Sequence, residues 1–355
     1  MNEIQPHIPF VSIIVPTLNS ASDIEGCINS LKNQNYPKKY FEIIIVDNGS
    51  TDGTMDILPL TGVRCFMRKE RGRSKALNTG IENAKGEIIC TTDISCRAEP
   101  DWISTVVKCF ADASNGCVAG EIKLLKTFSN PVLDFQERSN YMSPMLALER
   151  TQIPYMPFAD GANASFRKQL FDEIGYFEES FIKGADVEIC YRMFILTKYK
   201  LAFSKDAVVW EPGEPTLRAL LKQRFRMGIG KNLLAMKYPA LYRKGQTPSG
   251  VRKVYWSLHH LLKRLRSLFL ANINVSQSRN QKSVSDMNIR FLMNVVQKLG
   301  NTWGFYYLRY NDIHPKPVEM IMVDDFLANS EKVSERIVEY SACRDQAPEG
   351  GLLLD

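Results

Sequence analysis

Glu42-Ile43-Ile44-Ile45-Val46-Asp47-Asn48-Gly49-Ser50 is the stretch that decides the fold. Four successive apolar, β-branched residues without polar alternation read as a strand buried on both faces. Asp-Asn-Gly-Ser then stops it with residues that favour turns. A strand covered on both faces needs helices on each side, so its neighbours should alternate strand and helix. They do. Residues 11–15, Val-Ser-Ile-Ile-Val, form a second such run ending at Pro16. Between the two runs, Ile24, Cys27, Ile28 and Leu31 fall at helical spacing over 21–34, with Ser22 or Asp23 as N-cap. Downstream the spacing predicts a helix from 54 to 58, a strand over 63–67, a helix over 73–85 and a strand over 87–92 that ends on Asp93. The expectation is an α/β fold with a mostly parallel sheet flanked by helices. Ligands of such sheets collect at the carboxyl ends of the strands, where each polar cluster falls.

Beyond Asp93 the pattern is mixed. A helix is expected over 101–113, a strand over 118–126, and a functional loop with short helices over 129–158, which is rich in Pro, Met and aromatics. A late strand over 203–210 and a basic helix over 217–227 come next. Past about 240 the chain turns basic and helical, with a polar stretch at 274–286 that reads as a linker. The expected division is a tail over 1–10, an α/β domain over 11–235 and a mainly helical, basic C-terminal extension over 236–355. Within the extension, Val251, Val254, Leu258, Leu261, Leu262, Leu265, Leu268 and Phe269 form a helical apolar stripe. Arg252, Lys253, His259, Lys263, Arg264 and Arg266 stand opposite it. Such a helix either lies in an anionic membrane surface or packs on the catalytic domain with a solvated basic face.

Composition narrows the chemistry. The chain has 355 residues, a formal net charge of +6 and eight cysteines. The cysteines are scattered with no C-x-x-C pair, which fits buried thiols in a reducing compartment. The first nine residues lack the basic start and apolar core of a secretory signal, and no window holds the roughly 20 apolar residues of a spanning helix. These features predict a soluble or peripherally bound cytoplasmic protein, on the inner face of the membrane if bound. None of the four histidines lies between 11 and 230, which argues against Ser-His hydrolysis and His-rich zinc sites there. Carboxylates must carry the reaction.

Four clusters supply them: Val15-Pro16-Thr17-Leu18-Asn19; Val46 to Thr54; Arg73-Ser74-Lys75-Ala76-Leu77-Asn78 with the strand leading to Asp93; and Gly161-Ala162-Asn163, Gly175-Tyr176-Phe177-Glu178-Glu179 and Gly184-Ala185-Asp186. Asp47 at a strand end can accept a hydrogen bond from a nucleobase, although by itself the segment reads first as a tight Asn-Gly turn capped by Asp and Ser. Asp93 at a strand end is a natural site for a divalent cation on a diphosphate. Asp186 is either a base or the N-cap of a helix that turns Ile189 and Met193 to the core.

In this order and spacing the set resembles the inverting glycosyltransferases of family two, which have the GT-A fold, over roughly residues 11–230. The resemblance implies that Pro16, Thr17, Asn19 and Asp47 hold the donor's base and ribose, with Arg73 beside the nucleotide. The family's D-x-D falls on Asp93-Ile94-Ser95, its acceptor-side G-x-N on Gly161-Ala162-Asn163 and its G-E-D on Gly184-Ala185-Asp186. The basic Q-x-x-R-W stretch of processive members falls on Gln223 to Met227, placing Arg224 and Arg226 by the phosphates. Trp210 ends the late strand on the acceptor side. Four positions depart from the pattern: Ser95 replaces the second Asp, Ala185 replaces Glu, Glu211 stands where a metal-binding His is often found, and Met227 replaces the processive Trp.

The resemblance implies an inverting, hexosyltransferase-type enzyme that moves one sugar from a nucleotide diphosphate sugar, a UDP-sugar by preference, to an acceptor hydroxyl. Asp186 is the expected base. Manganese or magnesium is the expected cofactor, held by Asp93 and Glu211, with Arg224 and Arg226 carrying the phosphate charge if no metal is used. A glycan, lipid-linked or small-molecule acceptor is expected, with an anionic membrane surface as a further partner and no nucleic acid. Two alternatives stay open. One is a catalytically weak nucleotide-sugar-binding or scaffold protein of the same fold, which Ser95 and Ala185 favour. The other is a nucleotidyltransferase, whose Gly- and Arg-rich phosphate loop Leu18-Asn19-Ser20-Ala21 does not supply.

Overall fold

The computed structural model describes residues 7–149, 154–243, 281–315, 318, 322–323, 326 and 334–339. The basic stripe at 251–269 lies outside them. The chain forms two compact units: 1–127 with 140–213 and 325–355, and 128–139 with 214–324.

The first unit is built on one sheet. Strands β1 (Val11–Thr17), β2 (Phe41–Asp47) and β3 (Arg64–Met67) alternate with helices α1 (Ile24–Lys32) and α2 (Thr54–Ile57). Helix α3 (Arg73–Glu82), β4 (Ile88–Thr91), β5 (Arg97–Ala98), α4 (Trp102–Cys109) and β6 (Asn115–Leu125) follow. The strand order among the described residues is β3-β2-β1-β4-β7-β6-β8-β5, where β7 is Ala164–Arg167 and β8 is Lys200–Pro212. A short β9 (Ile337–Glu339) also pairs with β8. Strands β1 to β4 run parallel, as the buried apolar runs require, and every residue of β1 is buried. The sheet is mixed beyond β4, because β7 lies antiparallel between β4 and β6. Trp102 of α4 and Ile24, Cys27 and Leu31 of α1 fill the core against Val11, Ile13 and Val15. Helix α3 seats close to β1: a Cβ on Gly80 would stand 2.3 Å from Ile14 Cγ2, so only glycine fits that crossing.

The fourth cluster occupies the return to the sheet. The loop after Ala159 turns through a 3₁₀ segment, Gly161–Asn163, into β7. Helix α5 (Pro131–Arg138) belongs to the second unit, whereas α6 (Met145–Leu148), α7 (Lys168–Ile174) and α8 (Ala185–Leu196) belong to the first. Ile189 and Met193 of α8 are fully buried, as their spacing predicts.

The second unit is helical. Helix α9 (Leu217–Lys237), α10 (Pro239–Arg243) and α11 (Gln281–Tyr310) lie in it. Helix α9 continues past the expected end at 227, through Gly228 and Gly230. There the glycines serve close packing: Cβ atoms on Gly228 and Gly300 would meet Gln297 O at 2.2 Å and Phe225 O at 2.0 Å. The stretch expected as a linker at 274–286 is helical from Gln281 on. Asp286 pairs with Arg138 of α5 at 2.6 Å, a tertiary contact that sequence polarity does not reveal. No described helix is long and apolar enough to cross a membrane.

Candidate active site

The first two clusters zip together at the carboxyl ends of β1 and β2. Asn19 adopts a left-handed backbone with φ 51°, its amide oxygen accepts from Thr51 N at 2.8 Å, and its own N donates to Ser50 Oγ at 2.8 Å. Asp47 is 1% exposed, and its Oδ2 accepts from Gly49 N at 3.0 Å and Ser50 N at 3.1 Å. Its other oxygen takes the Ser50 hydroxyl. The carboxylate thus shapes its own Asn-Gly turn, with Gly49 at φ 84°. Pro16 pairs in register with Val46, and the buried Thr17 Oγ1 has no hydrogen-bond partner.

The third cluster leads to the charged centre. Asn48 Oδ1 accepts from Gly72 N at 2.9 Å, tying the β2 turn to the start of α3. Gly72 precedes that helix at φ 151°, which places Arg73 as its first residue. Asp93 lies just past β4. Arg73 donates to Asp93 Oδ1 from Nε at 3.1 Å and from Nη2 at 2.7 Å. Nη2 also reaches the Gly161 carbonyl at 3.1 Å, which Thr91 Oγ1 shares at 3.1 Å. Ser95 is half-buried, and its carbonyl accepts from Arg97 Nη1 at 3.1 Å.

The fourth cluster closes on the same point. Asp186 is the second residue of α8, and Gly184, at φ 88°, takes the N-cap position in place of Asp186. Asp186 Oδ2 accepts from Gly161 N at 3.3 Å and Oδ1 from Val187 N at 3.0 Å. Asp160 is absent from the motifs read in the sequence, although it directly precedes Gly161-Ala162-Asn163; it accepts from Ala162 N at 3.1 Å. Asn163 is buried in a structural net. Trp102 Nε1 donates to it at 2.8 Å, and its amide donates to Glu121 O at 2.9 Å and Ala207 O at 2.8 Å. Asn78 likewise staples the loop that follows α7, exchanging bonds with Phe177 O and Phe177 N.

Asp93 therefore holds the Arg73 guanidinium directly, and the Gly161 turn that also holds it is bonded to Asp186. Burial opposes the charge on Arg73, yet Asp93, then Asp186 and Asp160, raise its pKa above the ordinary value. Burial pushes the Glu211 carboxyl well up, and the charges of Asp160 and Asp93 push it further. Burial, followed by Asp186, raises Asp160 as well. Lys183 and Arg73 offset part of the negative charge on Glu211. Trp210, one residue before Glu211, donates from Nε1 to Glu99 Oε1 at 2.6 Å, and the Lys123 ammonium lies 5.5 Å from its ring centroid. Arg224 and Arg226 lie on α9 of the second unit, Arg226 exposed and Arg224 half-buried. Among the described residues, no three His, Cys, Asp or Glu side chains are arranged to hold a metal by themselves.

Residues 12–175 match the family model described as glycosyl transferase family 2, and 131–303 match glycosyl transferase family group 2. The chain is a glycosyltransferase that carries a family 2 domain. Among similar proteins, glycosyltransferase AglE of Haloferax volcanii is 29% identical over 230 residues, which cover 63% of this chain and 73% of that one. The beta-monoglucosyldiacylglycerol synthase of a Nostoc species is 28% identical over 272 residues, 73% of this chain and 56% of the relative. This glycosyltransferase therefore spans little more than half the length of that relative. A solved mannosyltransferase of Pyrobaculum calidifontis, PcManGT in complex with GDP-Man and Mn2+, superposes with a TM-score of 0.60 at 22% identity, covering 84% of this chain and 88% of that one. The likeness establishes the GT-A fold expected from the motifs. As a glycosyltransferase with a family 2 domain the protein is a transferase acting on nucleotide sugars.

Proposed function

We propose that this glycosyltransferase moves a single sugar from a UDP-sugar to an acceptor hydroxyl, with inversion, and that Asp186 is the base. The observation that carries the reading is the meeting of Asp93 and Arg73 with the Gly161 turn that Asp186 holds, just beyond β4. Direct displacement at an anomeric carbon needs a proton acceptor on one face and a stabilised diphosphate on the other. Asp186 at the start of α8 is the proton acceptor. Such a base contributes about a hundred- to ten-thousand-fold. On the donor side we assign base and ribose to Pro16, Thr17, Asn19 and Asp47. Arg73, Asp93 and Ser95 face the diphosphate in this reading, and Arg224 and Arg226 are assigned to phosphate by the family resemblance. Gly161, Asn163 and Trp210 form the acceptor side, where Asn163 acts by holding the Gly161 turn.

Manganese or magnesium fits the donor chemistry of Asp93 and Glu211, which are hard carboxylate oxygens in a site rich in negative charge. With two carboxylates in place of three or more, the donor phosphates must complete the shell. When bound, the cation would neutralise charge developing on the departing diphosphate. The acceptor is a glycan or a lipid-linked hydroxyl; the diacylglycerol product in the name of the Nostoc relative supports a lipid. We further place the protein at an anionic membrane surface on the cytoplasmic side, on the strength of the sequence stripe at 251–269.

The test is a panel of UDP- and GDP-sugars read by thermal shift and by turnover, with manganese and with EDTA. A donor at a hundred times its dissociation constant stabilises by about 2.7 kcal/mol. A UDP-sugar should give that shift, and its turnover should stop on chelation and return with manganese. A shift from GDP-sugars alone overturns the UDP assignment, and full activity in excess EDTA overturns the metal.

A further inference from the structure

We propose that Arg73 is the resident counter-cation of this site, and that it gives up Asp93 to a divalent cation only when a nucleoside diphosphate takes the guanidinium. The inference rests on reading Asp93 as the metal-side carboxylate.

Two nitrogens of Arg73 converge on Oδ1 of Asp93, at 3.1 Å and 2.7 Å. A guanidinium has no lone pair to offer a metal, and it claims acceptor sites that a cation would use. Its placement is fixed from three sides. Gly72, at φ 151°, sets Arg73 at the first position of α3. The Gly161 carbonyl holds Nη2 at 3.1 Å. The guanidinium also lies against a residue without a side chain, since a Cβ on Gly161 would stand 2.8 Å from Nη1 and 2.9 Å from Nη2. Within the described first unit, Asp93, Asp186 and Asp160 all act on this cation, and Arg73 in turn acts on Glu211. Lys183 is a second positive charge felt by Asp160 and Glu211, and it is exposed.

Charge balance sets the exchange. Ser95 offers no second carboxylate, so the hold on a cation depends heavily on Asp93, which an internal positive charge already neutralises. A divalent cation must displace that charge or share the carboxylate with it. A diphosphate changes the balance, because its oxygens match the planar guanidinium fork and carry more charge than one carboxylate. Arg73 can then turn to the diphosphate and free Asp93. Metal and nucleotide binding become coupled, each strengthening the other by the same factor. Without nucleotide the same arginine neutralises Asp93 and offsets part of the repulsion felt by Glu211.

The experiment measures manganese binding to the full chain by the electron paramagnetic resonance signal of the free ion, with and without UDP. Wild type should bind manganese weakly alone and at least tenfold more tightly with UDP. Arg73→Gln should bind manganese without UDP at least tenfold more tightly than wild type. Adding Asp93→Asn to that variant should remove the gain, which a general loosening of the site would not do. Arg73→Gln that gains no affinity overturns the exchange. If that variant does not fold, Gly161→Ala keeps the charge while pushing the guanidinium aside; it should also gain manganese affinity, and no gain there overturns the exchange. Wild type that binds no manganese even with UDP overturns the metal assignment and this inference with it. Wild type that binds it with UDP while Arg73→Gln gains nothing overturns the exchange alone.

Discussion

Asp186→Asn separates a base from a helix-terminal carboxylate. The native side chain accepts from Gly161 N at 3.3 Å through one oxygen and from Val187 N at 3.0 Å through the other. An asparagine keeps one acceptor and turns an NH2 group toward the second amide. Losing that bond costs roughly 1–3 kcal/mol if the amide is left unsatisfied. Removing a negative charge that acts on Asp160 offsets part of this cost. The net change in stability should be about 1 kcal/mol or less, a Tm shift of about 2–4 °C for a domain of this size. The kinetic effect is larger. Loss of a base worth about a hundred- to ten-thousand-fold raises the barrier by roughly 2.7–5.4 kcal/mol at 1.36 kcal/mol per decade. Steady-state kinetics on the donor that turns over should therefore show kcat reduced at least a hundredfold. The thermal shift produced by UDP should be retained on the proposed reading, which assigns Asp186 to the acceptor and not to the donor. A variant that keeps its fold and transfers sugar within threefold of the parental rate refutes the assignment of the base.

Glu211 gives a pH-dependent test. Its folded carboxyl titrates well above the ordinary value through burial and the charges of Asp160 and Asp93. A carboxyl with a raised folded pKa contributes stability that is fully present below its unfolded value, about 4.3, and lost as pH rises through the folded value. Glu211→Gln should therefore raise the Tm of the ligand-free protein at pH 8 by a few degrees. That advantage should shrink toward pH 5, and an equal gain at both pH values would show that charge is not the cause. In the helical unit, Gly300→Ala places a Cβ 2.0 Å from Phe225 O. Overpacking of this kind costs about 1–3 kcal/mol, so the urea midpoint should fall; an unchanged midpoint would contradict the close crossing of α9 and α11. The stripe at 251–269, outside the described residues, predicts sedimentation with vesicles containing anionic lipid, weakened by salt through screening. Absence of binding at low salt would leave that stripe as a packing surface.

The elements of the first unit, and the clusters at their ends, are legible in the chain before it folds. Buried strands show as runs such as Ile43 to Val46, helices as spacings such as Ile24, Cys27, Ile28 and Leu31, and stops as Asn48-Gly49. These signals are local, set by side-chain periodicity and backbone preference within a few residues. Helix α8, with Asp186 near its start, is legible in the same way. Which groups meet is settled only by the tertiary structure. The antiparallel entry of β7 between β4 and β6 carries Asp160 and Gly161 to Asp93, across about seventy residues of chain. That entry turns Arg73 from a residue beside a motif into a bridge between Asp93 and the Gly161 turn. It also commits Asn163 to Trp102, Glu121 and Ala207. The length of α9 is hidden for the same reason: the expected helix stops at 227, and only the backbone of α11 close against Gly228 shows why a glycine stands inside the longer helix. Local preference is written residue by residue, whereas charge pairing and close approach depend on distances that exist only once the chain has folded.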